Sequence, residues 1–426
     1  MSNDIRFYIV GGYVRDKLLG IESRDVDYCV VGATPEVMEE RGFKQVGADF
    51  PVFLDESGEE YALARTERKS GTGYHGFEVD FNPDITIEDD LERRDLTINA
   101  MALDSSGNIV DPYGGKTDLE NKVIRHVSDS FREDPLRVLR TARFAAKFPD
   151  FSVHEDTKDM MRELVENGEI DNLTPERVSA ETIKALKERE PSNYFKVLQE
   201  VGALERIMPE VSALDGIEQR KEHHPEVDTF IHTMLTLEQA TKLSSDPVIR
   251  FGALVHDLGK AVTGKEQEDG RHHDHEKLGV PIVEALCDRL KFPKEYKQIG
   301  MMASKHHLRI HRAFENNHKT WCKIFNEFRI DQEKGMDNLR KVITISEADA
   351  KGRAGMENKA YPQPDFIEHL ATAHKSVKMP DVAKKLGKDI NKETIPFLKE
   401  KFEENQKRSI YKAKKEYVST LESPSP

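Results

Sequence analysis

The chain has 426 residues, 37% of them hydrophobic and 33% charged. That is too long for a single core and predicts two to four globular domains, and no run approaches the roughly 18 apolar residues that a membrane span needs. Lys and Arg number 64 against 78 Asp and Glu, a formal charge of −14, which excludes indiscriminate polyanion binding and requires any nucleic-acid contact to come from a local basic patch. Three widely separated cysteines, Cys29, Cys287 and Cys322, fit a reducing compartment and argue against a disulfide framework or a cysteine-built zinc site. The N-terminus has no basic region followed by a long apolar stretch, so a cytoplasmic location is expected.

Residues 6–130 alternate short strand and helix signals. FYIV at 7–10 predicts a strand, residues 12–19 a helix, and DYCVVG at 27–32 a second strand. Thr34 followed by Pro35 supplies a capping residue and a proline at the first helical position, so a helix opens there. FPVFL, EEYALAR and FEVDF predict further short strands between Gly and Ser-Gly turns. IEDDLERRDLTINAMAL opens as a helix, and NIVDPYGG is a strand that ends in a turn. From Asp134 onward strand signals nearly vanish; LRVLRTARFAAKF, TKDMMRELVENG, TPERVSAETIKALKER and NYFKVLQEVGAL carry helical spacing. Eleven of the 16 histidines fall between His223 and His318, marking a third region that is also helical, and 363–426 is helix-prone and rich in Lys and Glu. The expected architecture is α+β in front and all-α behind, divided as 1–130, 131–220, 221–362 and a helical tail 363–426.

Asp25 and Asp27 lie two apart at the mouth of an apolar strand, where period-two alternation puts both carboxylates on one face. Such a pair can share two Mg²⁺ ions that activate a hydroxyl and hold a nucleoside triphosphate. An isolated D-x-D is more often structural or solvated. Just before it, GGYVRDKLLG at 11–20 passes from strand to helix at Gly11-Gly12, a geometry that aims backbone N–H groups at a phosphate. Arg15, in the first turn, can add a charge-assisted contact; the plain alternative is an ordinary turn with a solvated arginine.

The ordered set GG-x-VRD-x-LLG, RDVD, ALARTERKSG, LERRDLTINA, DPYGG and EDPLRVLRTARF resembles class II CCA-adding tRNA nucleotidyltransferases, and among them the bacterial type with a C-terminal HD phosphohydrolase domain. The resemblance covers about residues 6–360. It implies a polymerase-β-like nucleotidyltransferase head followed by an all-α neck, body and HD domain. It also implies template-independent addition of C, C and A to a tRNA 3′ end from CTP and ATP, with Mg²⁺ on Asp25 and Asp27. Gly12, Arg15 and Arg94 would hold the nucleotide, while Arg93 can instead pair with the acidic run Glu88-Asp89-Asp90. Glu60, opening the strand EYALAR, is either the third carboxylate of the metal site or an exposed strand glutamate. Arg65, Arg68 and Lys69 form a basic loop, closing over substrate or simply solvated.

Asp134, Arg137, Arg140 and Arg143 recur every three residues, which on a helix lines them along one slowly drifting stripe. A solvated charged face gives the same pattern, but the exclusive use of arginine suits base edges and phosphates. EDPLR at 133–137 matches the family's EDxxR motif, in which side chains select the incoming base. Asp134 as acceptor and Arg137 as donor would fit C or A, with Arg140 and Arg143 on the nucleotide or the tRNA end. Given the acidic net charge, a basic cleft surrounded by acidic surface is expected around this helix.

VIRFGALVHDLGKA predicts an apolar helix ending at His256-Asp257. Together with His232 in FIHTMLTL and Asp349 in ISEADAKGR, these residues match the H…HD…D quartet of HD phosphohydrolases. Imidazole nitrogens with carboxylate oxygens suit Ni²⁺, Mn²⁺, Mg²⁺ or Fe. The match implies phosphatase, 2′-nucleotidase or 2′,3′-cyclic phosphodiesterase activity. His275 and His306 are candidate further contacts; His223, His224 and His272 carry no assignment. Two alternatives stand beside the main one. A bacterial poly(A) polymerase shares the head and neck, and an RNA-binding regulator with only HD hydrolysis would need a degenerate head. The expected partners are tRNA, ATP and CTP with no membrane, the protein acting as a monomer or a homodimer.

Overall fold

Alternation along two short strands organises the front of the chain. In β1 (Arg6–Val10) and β2 (Asp27–Val31), Tyr8, Val10, Cys29 and Val31 turn to one side and join Ile87, Leu91 and Ala102 in a core, while Val30 and Phe7 turn to the other and meet Met38, Phe53 and Leu63. Both faces are therefore buried, as a period of two over continuous apolar runs dictates. The structure is a computed structural model, and it describes residues 4–23, 25–46, 52–69, 77–80, 82–221, 225–266 and 272–422. The chain divides into two units, Met1–Pro209 and Glu210–Pro426.

In the first unit β1 and β2 lie inside a seven-stranded sheet with β3 (Lys44–Val46), β4 (Val52–Leu54), β5 (Glu60–Leu63), β8 (Ala102–Leu103) and β9 (Ile109–Val110), in the order β3-β4-β5-β2-β1-β8-β9. β1 and β2 run antiparallel with Val10 opposite Asp27, and β2 and β5 run parallel with Asp27 opposite Glu60. β6 (Thr66–Lys69) and β7 (Phe77–Asp80) pair as a separate antiparallel ribbon. The basic loop expected at Arg65–Lys69 is thus strand from Thr66 onward, and the side chains of Arg68 and Lys69 lie outside the described residues. Helices α1 (Gly12–Leu18), α2 (Pro35–Glu40), α3 (Ile87–Glu92) and α4 (Gly115–Glu120) flank these strands. Thr34 caps α2 as its sequence requires, accepting from the Val37 amide at 3.4 Å.

Behind the sheet come α5 (Leu136–Lys147), α6 (Glu155–Glu166), α7 (Pro175–Lys187), α8 (Ser192–Glu200) and α9 (Ala203–Ile207). One strand pair survives where strand signals had faded: β10 (Val123–Ile124) and β11 (Ser152–Val153) run parallel. Two residues each are too few to show a period.

The described part of the second unit is helical: α10 (Pro209–Ser212) leads into it, followed by α11 (Thr229–Leu243), α12 (Pro247–Val255), α13 (Lys260–Glu266), α14 (His275–Arg289), α15 (Lys294–His311), α16 (His318–Phe328), α17 (Glu333–Lys351), α18 (Gln363–Ser376), α19 (Met379–Lys385) and α20 (Ile395–Glu422). α11, α12, α15 and α17 pack around a polar centre described below. The last helices do not trail off as a tail. Phe366 and Leu370 of α18 and Ile410 and Ala413 of α20 share one core with Trp321, Phe325 and Leu339. Among the described residues no helix is long and apolar enough to cross a membrane.

Gly259 marks the closest approach in this unit. A Cβ there would lie 2.0 Å from the His275 carbonyl oxygen and 2.8 Å from the Gly279 nitrogen. Gly259→Ala must push α14 away from the turn after α12, at a cost of about 1–3 kcal/mol. The expected result is a lower urea midpoint than wild type.

Candidate active sites

Strand register builds the first site. The parallel pairing of β2 with β5 sets Asp27 beside Glu60, and both line a cavity of about 170 Å³ with Arg65, Arg93 and Arg94. Desolvation, then the charge of Asp25, then that of Glu60, push the Asp27 carboxyl above its ordinary value, against the opposing pull of Arg94. Asp27, with Asp25 and Glu60 beside it, offers a hard oxygen donor set for a divalent cation such as Mg²⁺. Gly11, where β1 hands over to α1, has φ of +72°, and a Cβ there would sit 2.9 Å from Arg94 Nη1. Only glycine lets the backbone pass beneath that guanidinium.

Asp90 holds the arginines in place. Arg93 Nη2 lies 2.6 Å from its Oδ1 and Arg94 Nη2 lies 3.1 Å from its Oδ2. Burial alone would raise the Asp90 carboxyl; Arg94 and Arg93 outweigh burial and hold it below its ordinary value.

Arg15 is placed differently from the phosphate contact expected in sequence. It is 4% exposed, donates to Asp16 at 2.8 Å and to Asn99 Oδ1, and lies over the rings of Phe144 and Phe148 at 5.3 and 5.4 Å. Asn99 donates to Asp95 Oδ1 at 3.1 Å, and Arg140 Nε reaches Asp95 Oδ2 at 2.7 Å. The network therefore joins α1, the turn at 95–99 and α5.

The arginine stripe needs one correction. Asp134 is not on the helix: its backbone is extended (φ −120°, ψ 106°) and α5 begins at Leu136. Pro135 is the cause, since the residue before a proline is pushed out of the α region. The Asp134 carboxylate accepts from the Leu136 amide at 3.0 Å and from Arg177 Nη2 at 2.9 Å. Arg137 is buried and donates to the Arg93 carbonyl at 2.5 Å and to Ser130 Oγ at 3.3 Å. Arg143 pairs with the buried Glu181 and with Glu188 at 3.1 Å. The expected basic character of this helix is largely matched by carboxylates of the same unit.

The second site gathers His232 from α11, His256 and Asp257 from the turn after α12, and Asp349 from α17, all buried. His232 Nε2 is 3.1 Å from Asp349 Oδ1 and 3.9 Å from Asp257 Oδ2; His256 Nε2 is 3.2 Å from Asp257 Oδ2 and 3.8 Å from Asp349 Oδ2. His256 Nδ1 lies 2.7 Å from the Ala253 carbonyl, which can only accept, so the ring proton belongs on Nδ1 and Nε2 presents a lone pair. That Nε2 is buried without a hydrogen-bond partner. His232 Nδ1 faces Glu226 at 2.8 Å, a carboxylate behind an imidazole that orients it for a cation. The donors fit a divalent ion. Asp257 and Asp349 open into a cavity of about 730 Å³ also lined by Arg220, Lys260, Arg312 and Arg353.

Of the two further histidines expected here, His275 reaches the centre, 3.2 Å from Asp257 Oδ1. His306 does not. It packs on Phe328 at 5.3 Å and faces Glu327, and its neighbour His307 takes the inward position. His311 was also missed; its Nε2 lies 2.6 Å from Asp349 Oδ2 and its Nδ1 3.1 Å from Tyr361 Oη. The four-residue spacing of His307 and His311 on one helix was the available signal. His272 bridges Thr263 and the Glu218 carbonyl, whereas His223 and His224 lie outside the described residues.

Comparison with known proteins finds matches over most of the chain. Residues 7–125 match the Poly A polymerase head domain, 150–214 the probable RNA and SrmB-binding site of polymerase A, and 229–353 the HD domain. A multifunctional CCA protein of Hahella chejuensis is 49% identical over 401 residues, covering 92% of this chain and 94% of that one. One from Acinetobacter baumannii is 47% identical over 412 residues, covering 95% and 99%. Among solved structures, an apo CCA-adding enzyme superposes with a TM-score of 0.62 at 20% identity, covering 99% of this chain and 92% of that chain. A Thermotoga maritima CCA-adding enzyme complexed with tRNA superposes at 0.60 and 19%, covering 98% and 92%. At those identities the likeness is one of fold.

The Asp90 carboxyl, depressed from 3.8, contributes stability that is fully present above that value and is lost as pH falls through the folded value. Asp90→Asn should lose about 3–5 kcal/mol at neutral pH and show a flatter loss than wild type under acid. Unfolding midpoints from about pH 3 to 7 check this.

Proposed function

Because the chain belongs to the multifunctional CCA protein family, nucleotidyltransferases that carry an HD domain, we propose that it adds C, C and A to the 3′ end of tRNA from CTP and ATP. The observation that carries this is the register that sets Asp27 against Glu60 with Asp25 beside them and Arg94 over Gly11. Mg²⁺ on Asp25, Asp27 and Glu60 would supply the acidity that turns the terminal ribose hydroxyl into a nucleophile. Arg94 and the backbone at Gly12 hold the triphosphate. Arg15 positions that backbone from beneath and ties it to α5 through Asn99 and Asp95.

Base choice falls to Asp134 and Arg137. The Asp134 carboxylate, which accepts from Arg177, and the Arg137 guanidinium, which donates to the Arg93 carbonyl, are the acceptor and donor groups that a C or A edge would engage. Arg140 and Arg143 contact the nucleotide or the tRNA end. We divide the chain as a head over 1–130, a neck and body over 131–220, an HD domain over 221–362 and a C-terminal helical segment over 363–426. In the HD domain His232, His256, Asp257 and Asp349 hold Ni²⁺, Mn²⁺ or Mg²⁺, and the site hydrolyses phosphoesters as a phosphatase, 2′-nucleotidase or 2′,3′-cyclic phosphodiesterase. Lys260, Arg220 and Arg353 at its rim suit a phosphate.

A tRNA transcript lacking CCA, given Mg²⁺ with CTP, ATP or both, tests the head. Two C residues from CTP and one A once ATP is added are expected; long A tracts from ATP alone would make the protein a poly(A) polymerase. Asp27→Ala should lower addition at least about 100-fold. Asp134→Ala should raise G or U incorporation about tenfold or more relative to C. His256→Ala should abolish phosphoester hydrolysis and leave addition at the wild-type rate.

A further inference from the structure

Asp349 leans on an imidazole that is not part of the quartet. His311, the last residue of α15, sets its Nε2 2.6 Å from Asp349 Oδ2, and its Nδ1 lies 3.1 Å from the hydroxyl of Tyr361, in the segment between α17 and α18. An ionised carboxylate can only accept, so the His311 proton sits on Nε2. Nδ1 of the neutral ring is then an acceptor, and the Tyr361 O–H fills it. Burial, with the charges of Asp349 and Glu347 added, pushes the Tyr361 phenol up, so the hydroxyl keeps the proton that it donates.

This relay gives the two oxygens of Asp349 different duties. Oδ2 is held by His311. Oδ1 faces His232 Nε2 at 3.1 Å, while Arg353 Nη2 stands farther off at 3.9 Å. Tyr361 precedes Pro362, which keeps it out of the α region and off α18. Gln363, the first residue of α18, donates from Nε2 to the His311 carbonyl at 3.1 Å. Residues 361–363 therefore hold His311 by both its ring and its backbone. His311 and Asp349 line the cavity of about 730 Å³. Tyr361 lines instead a cavity of about 280 Å³, which His311 shares. The Tyr361 hydroxyl thus acts on anything in the larger cavity only through His311.

We propose that Tyr361 and His311 are positioning residues of the HD centre: the Tyr361 hydroxyl fixes the His311 tautomer, and the His311 Nε2–H holds Asp349 Oδ2 so that Oδ1 is the oxygen left for the cation. The proposal rests on the HD reading, which supplies the cation, and adds the outer part of the site. A carboxylate ligand that is itself hydrogen-bonded keeps its orientation, and losing such an outer partner costs about 10- to 100-fold in metal affinity or activity.

Nickel binding to the full-length protein carrying Asp27→Ala in the head, followed by titration calorimetry with NiCl₂, tests the arrangement apart from catalysis. His311→Leu should weaken binding about 10- to 100-fold, and Tyr361→Phe, which removes one oxygen and keeps the ring, about tenfold. His311→Gln, whose amide N–H can stand in for Nε2–H, should recover most of the affinity lost in His311→Leu. With wild-type addition residues and saturating nickel, Tyr361→Phe should lower kcat for a 2′,3′-cyclic nucleotide about tenfold and leave KM at the wild-type value. Wild-type nickel affinity in both His311→Leu and Tyr361→Phe would overturn the positioning role and leave the HD reading standing. A raised KM at unchanged nickel affinity overturns it too, by putting the residue on the substrate. A wild-type chain that neither binds nickel nor hydrolyses the nucleotide sinks the HD reading and this inference together. Should His311→Leu fail to fold, Tyr361→Phe decides.

Discussion

A carboxylate taken out of water must be met by positive charge, and nearly every functional arrangement in this chain follows from that requirement. Asp90 is met by Arg93 and Arg94, Asp95 by Arg140, and Glu181 by Arg143. Asp27 is only partly compensated, because Arg94 works against desolvation and two acidic neighbours. Asp257 is met by Lys260, and Asp349 lies against the imidazoles of His232 and His311. The fully matched carboxylates are structural pins. The incompletely matched Asp27 is the one proposed above to meet a cation.

The same constraint ties the head to its neck helix. Asp95 accepts from Asn99 and from Arg140 together, and Asn99 in turn holds Arg15. Arg140 pulls the buried Asp95 carboxyl below its ordinary value against the effect of burial, so the pair is held by charge as well as by shape. Helix α1 and helix α5 therefore share one chain of bonds. A shift at either end is felt at the other without any flexible link between them.

How much of this was legible beforehand depended on range. Local signals read well: the Thr34-Pro35 cap, the strands at β1 and β2, and the helices after Asp134 all rest on neighbours within one turn or one pleat. The H…HD…D residues came together on α11, the turn after α12, and α17. The partnership of Asp27 with Glu60 was only half visible, since it depends on a parallel pairing that skips over β3 and β4. The choice of His307 over His306 turns on 100° of helix phase, which no apolar pattern in SKHHLRIH resolves. Asp134 was misplaced although the proline that excludes it from the helix stands next to it. The strands of two to four residues at β6, β10 and β11 carry no period long enough to read.

The packing of α20 bears on how the polypeptide reaches its native state during synthesis. Domains fold as units, the earlier ones first as the chain emerges. The first unit is complete by residue 209 and has all its strand partners within 147 residues of one another (Arg6 to Val153). The second cannot close its core around Trp321 and Phe366 until Ile410 and Ala413 have left the ribosome. Until then the helices that present Asp257 and its histidines lack part of their support. The ordering of the histidine-rich centre of the second unit is thus deferred until α20 has emerged, long after the first unit has all its own residues in hand.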